Sequence, residues 1–192
     1  MKSLVACLSL LILIQIVHAQ NDRASQLFIR AVIHEKGIVY SDSLGGSTIS
    51  DMKKYLNSKS VDSYILPGTR AGKSGKFGFT KREKQYINNE IKQMGSLCWQ
   101  PGLLDSSRLI KTDTVTKIFK GGNLFAGWSY FRNNYGHDLY SFSKPIFLRN
   151  NTICLFYFGS SCGHLCGGGG LYIYVRENGV WKMKYPVYTW VS

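Results

Sequence analysis

The chain has 192 residues, 44% of them apolar and 14% aromatic, which suits one domain with a real core rather than several. Twenty-four Lys and Arg against 11 Asp and Glu give a net charge of +13. That charge draws acidic partners such as nucleic acid, anionic lipid or acidic polysaccharide, and it speaks to association rather than to fold.

The chain opens on an address. Lys2 is a positive start, Leu4 to Val17 is an almost unbroken apolar run, and Val17-His18-Ala19 offers small residues where a signal peptidase reads. The run is short of the roughly 20 apolar residues that a membrane span needs. Leu4-Val5-Ala6-Cys7 imitates a lipoprotein box, but the apolar run continues past Cys7. Residues 1–19 therefore read as a signal peptide and 20–192 as a single exported domain, secreted or periplasmic, with no transmembrane anchor after cleavage. Cys98, Cys154, Cys162 and Cys166 would then meet an oxidising compartment, which leaves three connectivities open. A Cys162–Cys166 disulfide is the most economical of them. Cys98 and Cys154 sit among apolar neighbours and read as buried thiols acting as small hydrophobes.

Ser25 to Glu35 reads as a first helix, with Leu27, Phe28, Ala31, Val32 and Glu35 on one stripe and Gly37 as its stop, a strand through Leu27–Ile33 being the alternative. Gly37 to Leu44 reads as extended, Gly45-Gly46 as a turn, and Ser47 to Asn57 as a short helix. Val61 to Leu66 is a strand candidate ended by Pro67-Gly68. Gly68 to Phe79 lacks periodicity and reads as a loop. Counting on to Lys84, the basic residues Arg70, Lys73, Lys76, Lys81, Arg82 and Lys84 face one acid, Glu83. They form the anion-binding candidate by charge, since a glycine-rich loop before a helix can cradle an anion through backbone N–H groups. Neither phosphate-loop spacing is present, which favours a solvated surface loop.

Thr80-Lys81-Arg82-Glu83 matches a capping box. Tyr86, Ile87, Ile91 and Met94 continue one apolar stripe to Gly95, so this helix should lie on a sheet. Ser107 to Phe119 fits strand, helix or both. Gly121-Gly122 opens a segment rich in aromatics, from Phe125 to Phe142. Beside Arg132 and His137 these rings could stack on sugars or bases, but core strands and their covering loops are the better reading.

Phe142 to Leu148 reads as a strand whose Pro145 demands an edge position or a bulge. Asn150-Asn151 is a turn. Ile153 to Phe158 is apolar throughout, as in a central strand covered on both faces. Leu171, Ile173 and Val175 alternate with Tyr172 and Tyr174, and Asn178-Gly179 is a hairpin signal leading into a last strand from Val180. The fold class is α+β, with N-terminal helices packed on a curved antiparallel C-terminal sheet. In the last third, S-x-P-I-F (Ser143 to Phe147), C-G-x-x-C-G-x-G (Cys162 to Gly169) and N-G-x-W (Asn178 to Trp181) resemble the pattern of a group of secreted bacterial proteins of uncharacterised activity. The element order also resembles the cone-shaped NTF2-like architecture. These resemblances imply a fold and no reaction.

Cys162-Gly163-His164-Leu165-Cys166 reads as part of the longest loop and admits three chemistries. A metal site lacks C-x-x-C spacing and needs a further ligand, such as Cys98 or His137. A redox site lacks the C-x-x-C helix start. A disulfide staple needs neither, and Gly167–Gly170 would let the backbone turn. No nucleophile elbow is present, and His34, His137 and His164 lack an acid partner at a recognisable spacing. The sequence names no cofactor, no metal, no specific nucleic-acid signal and no oligomeric state. Two functions go forward. One is a secreted basic binding protein for an acidic ligand or anionic surface. The other is a small extracytoplasmic enzyme with its site at Cys162–Gly170.

Overall fold

The computed structural model describes residues 23–57 and 77–192. The expected signal peptide at 1–19, the strand candidate at Val61–Leu66, and Arg70, Lys73 and Lys76 lie outside those residues. The chain divides into two compact units, Met1–His34 and Glu35–Ser192.

In the first unit a helix covers 23–32, here α1. Its existence was legible, but its buried face is not the expected stripe. Ser25, Phe28, Ile29 and the following Ile33 are buried, while Leu27 is 62% exposed and Ala31 is exposed. The i, i+3, i+4 spacing of Ser25, Phe28 and Ile29 defines that face.

The second unit is α+β, built on a mixed sheet ordered β2-β1-β3-β5-β6-β7, with β4 also paired to β5. Its elements are β1 (Val39–Ser41), α2 (Gly46–Asn57), α3 (Lys81–Gln93), β2 (Arg108–Ile110), α4 (Thr112–Phe119), α5 (Leu124–Asn134), β3 (Leu139–Phe142), β4 (Ile146–Leu148), β5 (Ile153–Gly163), β6 (Cys166–Glu177) and β7 (Val180–Val191). The strands from β3 onward pair antiparallel, as expected. The sheet extends further than expected, because β1 pairs parallel with both β2 and β3. Parallel neighbours need long crossovers. The α2–α3 and α4–α5 segments provide them.

Register sorts the side chains onto two faces. Val39, Leu139, Tyr157, Leu155, Ile153, Leu171 and Ile173 share one. At one end of it Ile49, Met52 and Leu56 of α2 and Ile87 and Ile91 of α3 pack on Ile146, Leu155, Leu171 and Ile173. At the other, Trp128 and Phe131 of α5 pack with Val39 and Ile110. The opposite face is aromatic: Tyr40 lies 5.4 Å from Phe142, and Phe156 lies 6.2 Å from Tyr174. Cys154 is fully buried on this face, as expected, and burial pushes its thiol up; Cys98 is exposed, contrary to expectation.

Several local signals hold. Thr80 Oγ1 accepts from Glu83 N at 3.2 Å, and Glu83 Oε2 accepts from Thr80 N at 2.8 Å, completing the capping box. Asn178 and Gly179 take φ of 50° and 83° between β6 and β7, the left-handed pair a tight hairpin requires. Pro145 marks a bulge. Phe142 pairs with Phe158 and Ile146 with Leu155, so three residues oppose two, and Ser143 bridges the gap by exchanging hydrogen bonds with Tyr157.

Two expectations are corrected. The aromatic segment after Gly122 is helix α5 rather than strand, capped by Asn123, whose side chain accepts from Ala126 N at 3.0 Å. Leu124, Trp128, Phe131 and Tyr135 fall at helical spacing on its inner side. The Cys162–Gly170 stretch is also no long loop. β5 runs to Gly163 and β6 starts at Cys166, so only His164 and Leu165 turn the chain.

A candidate ligand-binding groove between α4 and α5

Helix α4 begins where Asp42 pins it. Asp42 Oδ1 accepts from Thr112 N at 2.9 Å and from Thr112 Oγ1 at 2.7 Å. Ser41 and Ser43 hydroxyls share the same Oγ1 at 2.8 and 2.7 Å. This cluster turns the chain from β2 straight into α4, so Ser107–Phe119 is both strand and helix. After the Gly121-Gly122 turn, both with positive φ, α5 returns alongside. Gly127 permits the approach, because a Cβ there would stand 2.7 Å from the Phe119 ring.

A groove of about 650 Å³ opens beside this crossing. Lys117 and Lys120 stand on the α4 side, Tyr130 and Tyr135 on the α5 side, and Ile118, Ala126 and Gly127 also line it. Both lysines are exposed, and neither forms an ion pair among the described residues. Tyr135 is held in place by the Arg108 guanidinium, 4.5 Å over its ring, while Arg108 also donates to Asn134 O at 2.8 Å. The volume falls within the range typical of small-molecule sites. Chemically, the groove offers ammonium donors, ring faces and an apolar floor.

The other sequence candidates are dispersed. Lys81, Arg82 and Lys84 lie in the first turns of α3. There Arg149 holds Glu83 through Nε at 2.7 Å and Nη2 at 3.2 Å, and its Nη2 also donates to Gly78 O at 2.8 Å. The Arg149 guanidinium beside Glu83 holds that carboxyl down to about 2, aided by the Thr80 backbone. Arg82, Tyr86, Phe147 and Arg149 line a smaller hollow of about 280 Å³.

Cys162 and Cys166 form a disulfide with Cα atoms 5.1 Å apart, stapling the β5–β6 hairpin just below its tip. His164 sits at that tip, its ring 5.5 Å from Phe125. Among the described residues no group of three His, Cys, Asp or Glu side chains converges as a metal site would require. The glycine quartet serves packing within β6. A Cβ on Gly169 would stand 2.6 Å from Gly159 Cα and 3.1 Å from Trp190 Nε1, and one on Gly159 3.3 Å from Trp190 Cζ2, so these two glycines seat the Trp190 indole. Trp190 Nε1 in turn donates to the Tyr157 hydroxyl at 3.1 Å. Burial pushes the Tyr157 phenol up, against hydrogen bonds from Trp190, Thr48 and Ser141.

Lys117 and Lys120 carry no signal in the sequence, whereas Tyr130 and Tyr135 belong to the aromatic segment whose rings could stack on sugars or bases, a reading set below core packing. The helical spacing of Leu124, Trp128 and Phe131 was the signal that could have placed Tyr130 on an exposed helix face. No family model, curated protein or solved structure matches the chain. No helix among the described residues is long and apolar enough to cross a membrane.

Proposed function

We propose that the protein is a secreted binding protein that holds an anionic ligand with a ring or apolar part in the α4–α5 groove. One observation carries this reading: Lys117 and Lys120, which form no ion pair among the described residues, stand beside a groove of about 650 Å³ that Tyr130 and Tyr135 also line. Each ammonium supplies three donors to a carboxylate, sulfonate or phosphate. The tyrosine rings and the Ile118 side chain take the apolar part. The net charge of +13 raises the encounter rate with such a ligand. The apolar run from Leu4 to Val17 and the Cys162–Cys166 disulfide support export.

The test uses anilinonaphthalene sulfonate, which joins rings to a fixed negative charge, and phenylnaphthylamine, which has the rings alone. Wild type should bind the sulfonate more tightly than the neutral probe. In the double variant Lys117→Gln/Lys120→Gln, sulfonate affinity should fall about 5- to 30-fold, from roughly 0.5–1 kcal/mol per exposed ionic contact. Affinity for the neutral probe should stay. Equal affinities in wild type and variant would remove the groove from the account.

A further inference from the structure

Two strongly exposed apolar side chains stand on either side of the place where α5 passes the β5–β6 hairpin. Leu165 at the tip is 77% exposed, and Phe125 in the first turn of α5 is 73% exposed. Their neighbourhood is fixed by the His164 ring, 5.5 Å from the Phe125 ring. The support is rigid. The Cys162–Cys166 disulfide closes the hairpin below the tip, and Arg132 of α5 donates to Cys162 O at 3.0 Å, tying helix to hairpin. Neither apolar side chain belongs to the lining of the α4–α5 groove.

The α4–α5 segment beside this protrusion is positive: Arg132 lies on α5, Lys117 on α4 and Lys120 directly after it. The acids between Thr112 and Leu139 are Asp113, in the first turn of α4, and Asp138, which is engaged with His137 at 2.7 Å.

We propose that this tip is a membrane-contact site: Leu165 and Phe125 enter the interface of an anionic lipid bilayer while Arg132, Lys117 and Lys120 stay among its headgroups. Two protruding side chains are too small for a lasting protein interface, which covers about 800 Å² on each partner. A bilayer imposes no such area. It accepts isolated apolar side chains at the headgroup boundary and adds attraction for each nearby Lys or Arg. The overall charge of +13 complements an anionic surface and no other bilayer.

The experiment is co-sedimentation of the full chain with phosphatidylcholine vesicles, with and without phosphatidylglycerol. Wild type should sediment with the anionic vesicles alone and be released by salt, because screening shortens the reach of the attraction. Phe125→Ser/Leu165→Ser should weaken partitioning about 10-fold or more, given what burying each side chain contributes. The single variants should each weaken it several-fold, which keeps the test informative if the double variant is poorly folded. Val180→Ser, which removes a 59% exposed apolar side chain at the opposite end of β6, should bind as wild type does. The proposal is overturned if wild type ignores anionic vesicles, if the tip variants bind undiminished, or if Val180→Ser loses as much as they do. Sulfonate binding in the groove should survive in Phe125→Ser/Leu165→Ser, so the two readings fail separately.

Discussion

Substituting Glu83 by Gln tests the anchor at the start of α3 with a defined pH signature. Glu83 accepts from Thr80 N at 2.8 Å and from Arg149 Nε at 2.7 Å, and Arg149 also holds Gly78 O. Its carboxyl is lowered from 4.5 to about 2, the Arg149 hydrogen bonds being the largest cause. At face value that shift equals roughly 3.4 kcal/mol. Arg149 is 42% exposed and solvent screens the pair, so about 1–1.5 kcal/mol is the expected share. The folded-state carboxyl is depressed, so its stabilisation is fully present above pH 4.5 and is lost as the pH falls towards 2. Urea unfolding at neutral pH should therefore show Glu83→Gln about 1–1.5 kcal/mol less stable than wild type, a gap that shrinks steadily between pH 4.5 and 2. Glutamine resembles the protonated acid, so the two proteins should converge at the acid end. A gap that is equal at pH 7 and pH 2.5 would refute the charge-based account of this contact.

Three further outcomes follow from packing and covalent geometry. Gly169→Ala drives a Cβ to within 2.6 Å of the Gly159 backbone and should cost about 2–3 kcal/mol or more in chemical unfolding. An unchanged denaturation midpoint would discard the Trp190 seat. Cys162→Ser/Cys166→Ser opens a crosslink spanning only four positions, so the loss should be no more than about 2 kcal/mol, with the far-ultraviolet dichroism retained. Loss of the folded state would contradict a hairpin already closed by its own strand pairing. Trp190→Phe removes the donor to the Tyr157 hydroxyl while keeping a ring over the glycines, and thermal or urea unfolding should register about 1 kcal/mol.

What could be read in advance follows how local each determinant is. The Thr80–Glu83 capping box, the Asn178-Gly179 turn and the apolar run from Ile153 are each set within a few residues, and each appears in the structure. Cys162 and Cys166 are four apart, close enough for the pairing to be inferred from spacing. The parallel additions were illegible because β1 and β2 are three residues each, too short to show alternation. Helix α5 was hidden by composition. Its Phe, Trp and Tyr suggested a strand, while Asn123 as cap and the spacing of Leu124, Trp128 and Phe131 decided for a helix. Gly167–Gly170 suggested a loop because glycine is unfavourable in strands; what crowds Gly167, Gly169 and Gly170 is the backbone of the flanking strands, with the distant Trp190 indole also lying against Gly169. The groove was illegible for the same reason: Lys117 and Tyr130 become neighbours only when Phe119 packs against Gly127.

The most direct measurement of the central claim is hydrogen–deuterium exchange by mass spectrometry, with and without anilinonaphthalene sulfonate. Ligand-induced protection is expected to concentrate in peptides covering Thr112–Phe119 and Leu124–Asn134, and to need a correspondingly higher ligand concentration in Lys117→Gln/Lys120→Gln. Protection concentrated instead at the start of α3 or at the β5–β6 hairpin, with α4 and α5 unchanged, would contradict it.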